Sequence, residues 1–352
     1  MSSGSSVEII RQWSRYYSRK TGVSHARGSQ VKRTRCGEVW LGVPLCLALV
    51  AGGLETQPAM AQEDHVVQMD TLNVRDVLYH LGGGGGNGLA LIDEVSDTPG
   101  VVLIDTKPSG WGSATLDVLG QVTDLPVRTI INTHDHVEHA GSNDEFGPDV
   151  EIIAHASVSA RMVTGGLYEV GALGLPTTTV SDRHGLLEGI DRIELYYFGV
   201  GHTDGDLTVV FPGKEVAYLS DLFPMKGVPA IDREHGGSGL AFPETLDRIV
   251  SEIAGVSRVI TGHGPFPTTY AGRGRRETGA RRAWSGFYTW DDLTEYAGFV
   301  RIFVESIVRS YESGQAIDAA LADLRLPATY SDYDMENAMV SAEAIYAELD
   351  ER

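Results

Sequence analysis

Residues 133–139 read Thr133-His134-Asp135-His136-Val137-Glu138-His139, and this stretch determines how the fold is predicted. It packs three imidazoles and two carboxylates into six residues, directly after the apolar run of residues 127–131. His134 and His136 are two residues apart, so at the end of a strand their side chains point to the same side. Glu138 and His139 fall past the bend, where a helix begins. Packing alone does not explain this crowding, which is typical of a loop that binds two neighbouring metal ions.

Three more metal-binding side chains lie farther along the chain, each where an apolar run ends. His202 follows residues 193–200, Asp221 follows residues 216–220, and His263 follows residues 259–262. Strand ends that meet at one edge of a sheet commonly form an open site. The spacing therefore predicts that these three residues join the loop of residues 133–139.

These motifs, in this order, resemble those of the metallo-β-lactamase-fold hydrolases, and among the branches of that family the chain is most similar to the glyoxalase II-like group. The resemblance implies an α/β fold, an αββα sandwich of two mixed sheets with helices outside, followed by C-terminal helices. It also implies two divalent metal ions. His134, His136 and His202 would bind the first ion. Glu138, His139 and His263 would bind the second, and Asp221 would bridge the two.

The family pattern has Asp where this chain has Glu138, and the additional methylene moves the carboxylate by roughly 1.5 Å. We therefore expect the second ion to bind more weakly than the first. Asp135 corresponds to a variable spacer of the family and not to a ligand. Glu138 and Asp221 are predicted to be catalytic as well as metal-binding. Nitrogen and oxygen ligands favour zinc, with iron and manganese as alternatives.

The predicted reaction is hydrolysis of an ester, thioester, lactone or amide bond of a small molecule by a metal-bound hydroxide. A class B β-lactamase would use the same chemistry, but the true lactamases lack a bridging Asp at the position of Asp221. A mononuclear iron dioxygenase of the persulfide type and a non-catalytic metal-binding protein are also compatible with these motifs. Three protein ligands per ion leave coordination positions open, which favours catalysis.

The ends of the chain predict export and a division into three parts. Residues 39–51 are apolar but too short to span a bilayer, and they precede the small-residue pattern Ala59-Met60-Ala61. Residues 1–61 are therefore predicted to be a signal peptide with a charged leader, cleaved before Gln62. The predicted catalytic domain covers residues 62–283, and a helical segment covers 284–352. The mature enzyme would be periplasmic or secreted, without stable membrane insertion; the alternative is an uncleaved membrane anchor.

The composition restricts the partners. The net charge of −20 disfavours nucleic acid. Both cysteines, Cys36 and Cys46, lie in the predicted leader, so the mature enzyme would have neither a disulfide nor a thiolate ligand. Residues 272–282 contain five arginines on this acidic background and suggest an anionic substrate, although a solvated loop is the simpler interpretation. The amphipathic residues 290–313 and 337–349 would border the active site or form a homo-oligomer contact.

Two further segments have predicted structural roles. Residues 82–86 are five consecutive glycines, which we call the glycine loop. No Gly-Lys-Ser/Thr sequence follows it, so it is predicted to be a tight turn near the site and not a phosphate-binding loop. Asp105 ends an apolar run and is predicted to support the metal-binding loops. His80, His155, His184 and His235 are interpreted as surface or core residues.

Overall fold

The computed structural model describes residues 65–72, 77–264 and 288–352. The predicted leader of residues 1–61 and the arginine-rich residues 272–282 lie outside these ranges. Within the described part of the chain, no helix combines the length and the apolar character that a membrane span requires.

The first sheet has seven strands that follow one another in chain order. They are β1 (Gln68–Thr71), β2 (Leu78–Gly82), β3 (Gly88–Asp93), β4 (Gly100–Ile104), β5 (Val127–Ile131), β6 (Glu151–His155) and β7 (Thr178–Val180). Strands β1 to β4 are antiparallel to their neighbours, whereas β4 to β7 are parallel. The parallel part places the carboxyl ends of β4, β5 and β6 at one edge of the sheet.

The second sheet has five strands in the order β12-β11-β10-β9-β8. They are β8 (Arg183–Leu186), β9 (Ile193–Tyr197), β10 (Leu207–Phe211), β11 (Val216–Ser220) and β12 (Arg258–Thr261). Only the pair β11 and β12 is parallel, so these two strands also end at a common edge.

Seven α-helices occur in the described residues. They are α1 (Gly112–Leu119), α2 (Val137–Ala140), α3 (Val158–Thr164), α4 (Phe242–Glu252), α5 (Trp290–Glu312), α6 (Ile317–Asp323) and α7 (Ala338–Asp350). Helix α5 begins with a capping box, in which Thr289 and Asp292 each bind the backbone N–H of the other. Helix α4 connects β11 to β12, and α5 and α7 follow β12 in sequence; all three cover the outer face of the second sheet.

The hydrophobic core lies in layers that show how the sheets and helices pack. Side chains of both sheets, such as Ile131 and Val209, share one buried cluster, so the sheets pack face to face. The opposite face of the first sheet packs on α1 through residues such as Leu119. The opposite face of the second sheet packs on α4, α5 and α7 through residues such as Phe299 and Ile345. The predicted αββα sandwich with C-terminal helices is confirmed.

Candidate metal centre

The predicted ligands lie in loops at the edge where strands of both sheets end. The stretch of residues 133–139 follows β5 and continues into α2, and His202 follows β9. Asp221 comes directly after β11, and His263 comes two residues after β12. All seven predicted ligands therefore reach one edge of the sandwich, although they span a long part of the sequence.

The structure brings these side chains together in two groups. Ligand atoms of His134, His136, His202 and Asp221 all lie within 4.8 Å of one another. Ligand atoms of Glu138, His139 and His263 form a second group by the same measure. Both groups have the membership expected from the sequence, and Glu138 reaches its partners despite its longer side chain.

Asp221 lies between the two groups. Its Oδ2 is 3.5 Å from Nε2 of His202 and 3.0 Å from Nε2 of His263, while its Oδ1 is 3.5 Å from Nε2 of His139. One carboxylate thus faces imidazoles of both groups, which is the placement that a bridging ligand requires. Its role as a ligand remains a prediction.

Two imidazoles of the first group are oriented by hydrogen bonds of the ring nitrogen that faces away from the group. His202 donates a hydrogen bond from Nδ1 to the carbonyl of Ala230 (2.7 Å), which leaves Nε2 directed at His136. His136 is held through Nε2 by the carboxylate of Asp232 (2.8 Å), so Nδ1 is the atom that faces the group. Such partners fix the tautomer and ring orientation of a metal-binding histidine.

The second group is oriented in the same way. Nδ1 of His139 donates to Oδ2 of Asp105 (2.8 Å), and Nδ1 of His263 donates to the carbonyl of Gly85 (2.8 Å). Asp105 also accepts hydrogen bonds from the backbone N–H and the hydroxyl of Thr133, both at 2.8 Å. Asp105 therefore supports the metal-binding loop, as the sequence predicts.

Three buried polar atoms at the centre have no hydrogen-bond partner among the described residues. They are Nε2 of His134, Nε2 of His139 and Oδ1 of Asp221. An unpaired buried polar atom costs about 1–3 kcal/mol, so three in one place call for a ligand. Two imidazole nitrogens and a carboxylate oxygen suit a divalent cation, and the residues present therefore fit metal ions.

Burial and neighbouring charges shift the pKa values of four imidazoles of the centre, two of them downward and two upward. Burial and adjacent imidazoles lower the pKa of His134 well below its usual range, and the same two causes lower that of His202 to about 4. Burial also acts on His136 and His263, but Asp232 in one case and Asp221 in the other raise the pKa to about 9. Without a metal ion, His134 and His202 are therefore neutral at pH 7, whereas His136 and His263 carry a proton that metal binding would release.

Asp135 has a different partner, which explains why it is not part of either group. Arg161 in α3 donates two hydrogen bonds of 2.9 Å to the two oxygens of Asp135. The same guanidinium contacts Asp204, which follows His202 by two residues. Arg161 thus joins the loops that carry His134 and His202, and Asp135 serves as a spacer with a structural partner.

Two of the four described non-glycine residues with positive φ angles lie beside the candidate ligands. Asp105 and Ser220 are not glycines but have positive φ angles of 58° and 47°. Ser220 directly precedes Asp221, and Asp105 holds His139. Non-glycine residues in this conformation cost about 1–3 kcal/mol and tend to occur at functional sites.

Residues 228–240 form a segment that is fixed from outside by α7. Ser341 donates to the carbonyl of Pro229 (2.5 Å), and Glu348 accepts from the hydroxyl of Ser238 (2.6 Å). This segment carries both Ala230 and Asp232, the two residues that orient the first group. The C-terminal helix therefore supports the site indirectly.

Sequence reasoning did not identify Asp232 or Arg161. It took His235 for a surface or core residue, whereas the structure places its ring 4.7 Å from that of His136. His235 donates through Nδ1 to Asp232 (2.8 Å), so one carboxylate serves two imidazoles. The sequence Ile231-Asp232-Arg233-Glu234-His235 resembles many charged surface segments and gives no signal of this role.

The family model and the similar solved structures agree with the fold described above. The model of the metallo-beta-lactamase superfamily matches residues 85–270. The metallo-beta-lactamase from Pontibacter korlensis superposes with a TM-score of 0.50 at 15% identity, over 67% of this chain and 99% of that one. A double mutant of the sec-alkyl sulfatase PisA1 gives a TM-score of 0.60 at 14% identity, over 81% of this chain and 50% of that one. At such identities the likeness shows the fold alone.

A curated relative is similar in sequence. The alpha subunit of 2,4-dinitroanisole O-demethylase from Nocardioides sp. (strain JS1661) is 31% identical over 177 residues, which are 48% of this chain and 48% of that protein. The chain thus matches about half the length of this relative. The glyoxalase II-like branch is not singled out by these matches. The family model covers more than half of the sequence, and the chain belongs to the metallo-β-lactamase superfamily.

Proposed function

We propose that this protein is a metal-dependent hydrolase that uses two divalent metal ions to cleave an ester, thioester, lactone or amide bond. The observation that carries the proposal is the set of three buried atoms without hydrogen-bond partners among the described residues, Nε2 of His134, Nε2 of His139 and Oδ1 of Asp221. Other predicted ligand atoms beside them have hydrogen bonds, such as Nε2 of His202 with Nδ1 of His136 and Nε2 of His263 with Oδ2 of Asp221. A structural role would not require three unpaired polar atoms in a buried cluster.

Each residue of the centre has a defined task in this proposal. His134, His136 and His202 would hold the first ion, Glu138, His139 and His263 the second, and Asp221 would contact both. Metal ions bound here would lower the pKa of a water molecule to about 7 and polarise the acyl oxygen of the substrate. No serine or cysteine nucleophile is then needed, and the outer residues Asp105, Ala230, Asp232 and Gly85 keep the imidazoles oriented. Zinc suits these nitrogen and oxygen ligands, with iron and manganese as alternatives.

Metal analysis combined with an acyl-substrate panel tests the proposal. Purified protein should contain two ions per chain and should lose hydrolysis of an aryl ester, a thioester or a lactone when the ions are chelated. Zinc should restore the activity. Turnover of nitrocefin as the preferred substrate would instead identify a β-lactamase, against which the position of Asp221 argues. One bound iron with oxygen uptake would indicate a dioxygenase, and metal binding without turnover of any substrate would indicate a non-catalytic protein.

The curated relative favours a second candidate reaction on the same centre. Its name describes O-demethylation of 2,4-dinitroanisole, an activated aryl methyl ether. Hydrolysis of that ether would consume one water molecule and release 2,4-dinitrophenol and methanol. Release of the yellow phenol from 2,4-dinitroanisole, with no acyl hydrolysis, would favour this candidate over the first.

An anionic substrate is proposed from the arginines of residues 272–282. On a protein of net charge −20, several guanidinium groups would attract an anion by Coulomb forces that salt screens over about 8 Å. Replacing Arg273, Arg275 and Arg276 by Ser should raise KM for an anionic substrate and leave a neutral analogue unaffected. Equal effects on both substrates would contradict steering.

A further inference from the structure

The glycine loop forms the turn between β2 and β3, as the sequence predicts. Gly83, Gly84 and Gly85 have φ angles of 102°, 70° and 96°, a conformation that residues with a Cβ rarely adopt. The loop borders the candidate metal centre, and its contacts there involve only the second group.

Two contacts connect the glycine loop to predicted ligands of the second ion. The carbonyl of Gly85 accepts the hydrogen bond from Nδ1 of His263 (2.8 Å). The backbone of Gly86 lies against His139 so closely that an added Cβ would be 2.8 Å from Cε1 and 2.9 Å from Nε2 of that ring. The position of the loop therefore limits where both imidazoles can lie.

Lys107 fixes the loop from inside the protein. Its side chain is fully buried, and Nζ donates hydrogen bonds to the carbonyls of Leu81 (2.9 Å) and Gly86 (2.5 Å), on the two sides of the turn. A buried ammonium group is costly unless its donors are satisfied. Burial lowers the pKa of Lys107 to about 7, so it is the N–H donors of Nζ, and not a full charge, that hold these two carbonyls in place.

Backbone hydrogen bonds join the residues around Lys107 to α2, the helix that carries Glu138 and His139, and to the loop just after it. The N–H of Thr106 donates to the carbonyl of His139 (2.7 Å), and the N–H of Ser142 donates to the carbonyl of Lys107 (2.8 Å). Lys107 consequently connects α2, which contains Glu138 and His139, to the glycine loop that holds His263. The first group has no contact of this kind with Lys107 in the described residues.

We propose that Lys107 is a positioning residue for the second metal ion, acting through the glycine loop on His139 and His263. This inference rests on the proposed function, because it assigns a task toward an ion that the function requires. The hydrogen bonds of Nζ go to backbone carbonyls on the two sides of the glycine loop and not to a predicted ligand. Lys107 sets the distance between the imidazoles that bind the ion.

The test is Lys107→Met in the full chain, because methionine keeps most of the volume but removes the charge and the donors. Affinities for the two ions are measured by titrating metal-free protein with zinc against a competing chelator and by cobalt absorption spectra. We expect the second ion to bind about 10–100-fold more weakly and the first to be unchanged. Equal affinities in the variant and the wild type would overturn the inference. A wild type that binds no second ion would instead overturn the dinuclear proposal itself.

Lys214→Met is the matched control. Lys214 is also a buried lysine, and its Nζ lies 2.8 Å from Asp191, in the turns that precede β11 and β9 of the second sheet. If Lys107→Met acts only through general loss of stability, the control should weaken the second ion equally. We expect it to change neither affinity.

Gly86→Ala tests the step of the inference in which the position of the glycine loop acts on His139, and it does so even if Lys107→Met fails to fold. The added Cβ should press on His139 and weaken the second ion while Lys107 stays intact, whereas Gly185→Ala, whose nearest neighbour is 4.0 Å away, should change nothing. A readout independent of metal is the hydrogen exchange of the Asn87 amide, which donates to Gly262 (2.7 Å) beside His263. Its exchange should accelerate in metal-free Lys107→Met or Gly86→Ala, and unchanged exchange together with unchanged second-ion affinity would overturn the inference.

Discussion

Arg161 holds the carboxylate of Asp135 with two parallel hydrogen bonds of 2.9 Å, and the side chain of Asp135 has no exposed surface. The contact lies inside the metal-binding stretch but contributes no predicted ligand. Asp135 is therefore held by Arg161, whereas Glu138 is the acidic residue of that stretch that lies beside His139 and His263.

Replacing Arg161 alone should therefore destabilise the protein more than replacing Arg161 and Asp135 together. Arg161→Leu leaves a buried charge without its partner and should lower the free energy of unfolding by about 3–5 kcal/mol. The double variant Arg161→Leu with Asp135→Asn should recover part of this loss, since the amide carries no charge. Urea unfolding of the variants measures the coupling, and strictly additive effects would refute it.

Glu138 should control the second ion alone. Glu138→Ala is expected to lose the second ion and most of kcat while the first ion stays bound, because His134, His136 and His202 are untouched. His202→Ala should weaken the first ion directly. Metal stoichiometry by mass spectrometry, with kcat for both variants, provides the test. Two tightly bound ions and full activity in Glu138→Ala would show that this residue is not a ligand.

Tyr296 should tolerate loss of its hydroxyl. The ring stacks on Phe223 with centroids 4.4 Å apart, but its buried hydroxyl has no hydrogen-bond partner among the described residues. Tyr296→Phe should therefore leave the free energy of unfolding unchanged or raise it by about 1 kcal/mol. Tyr333→Phe is the control, because that hydroxyl donates to Glu295 (3.0 Å) and its loss should destabilise. A clear loss of stability in Tyr296→Phe would contradict the prediction.

The contact between Lys226 and Asp292 should make stability depend on pH at the acid end. Nζ of Lys226 lies 2.7 Å from Asp292. Burial acts to raise the pKa of Asp292, but hydrogen bonds from Lys226 and Thr289 outweigh it and lower the pKa. The stabilisation is therefore complete above the ordinary pKa of 3.8 and is lost as the pH falls from there through the lower pKa of the folded state.

Lys226 determines where the stabilisation is lost at the alkaline end of the pH range. Burial acts to lower its pKa, but Asp292 and Glu295 raise it overall, so its contribution is present below the ordinary value of 10.5 and lost as the pH rises through the higher folded-state pKa. Lys226→Met should lower Tm by about 2 °C near pH 7. Thermal unfolding of metal-free wild type and variant should show this gap closing below pH 3.8. A gap that stays constant down to strong acid would contradict the assignment.

Export should remove the leader, a prediction that concerns residues outside the described ranges. Protein recovered from the periplasm should have the intact mass of a chain that begins at Gln62, because the small residues Ala59 and Ala61 suit a signal peptidase. Full-length material in the membrane fraction would contradict cleavage.

Much of the fold could be predicted because the buried strands carry apolar or alternating patterns. The apolar runs of residues 127–131, 193–200, 216–220 and 259–262 correspond to β5, β9, β11 and β12, with ends within a few residues. The patterns gave no sign of β1, β7 or β8. β8 is a four-residue edge strand, Arg183–Leu186, whose residues are exposed or half-buried, and its pairing with β9 comes from tertiary contact.

The candidate ligands could also be predicted, since histidines and acids after apolar runs must lie at strand ends. Of the residues that support them, Asp105 could be predicted, but Asp232 and Lys107 could not. Asp232 and His136 are 96 positions apart, and neither sequence environment indicates the other. Lys107 follows a strand like many surface lysines do, and only the folding of the glycine loop over it makes it a buried cation.

The attachment of residues 228–240 to α7 affects the order in which the centre can be assembled during synthesis. All seven predicted ligands precede α7 in the sequence, so the ribosome completes them before it makes Ser341 and Glu348. Until those residues arrive, the carbonyl of Ala230 and the carboxylate of Asp232 lack the helix that holds their segment. A chain that lacked α7 would thus possess every ligand and still present the first ion with imidazoles free to rotate, so metal capture by the first group requires that α7 is already in place.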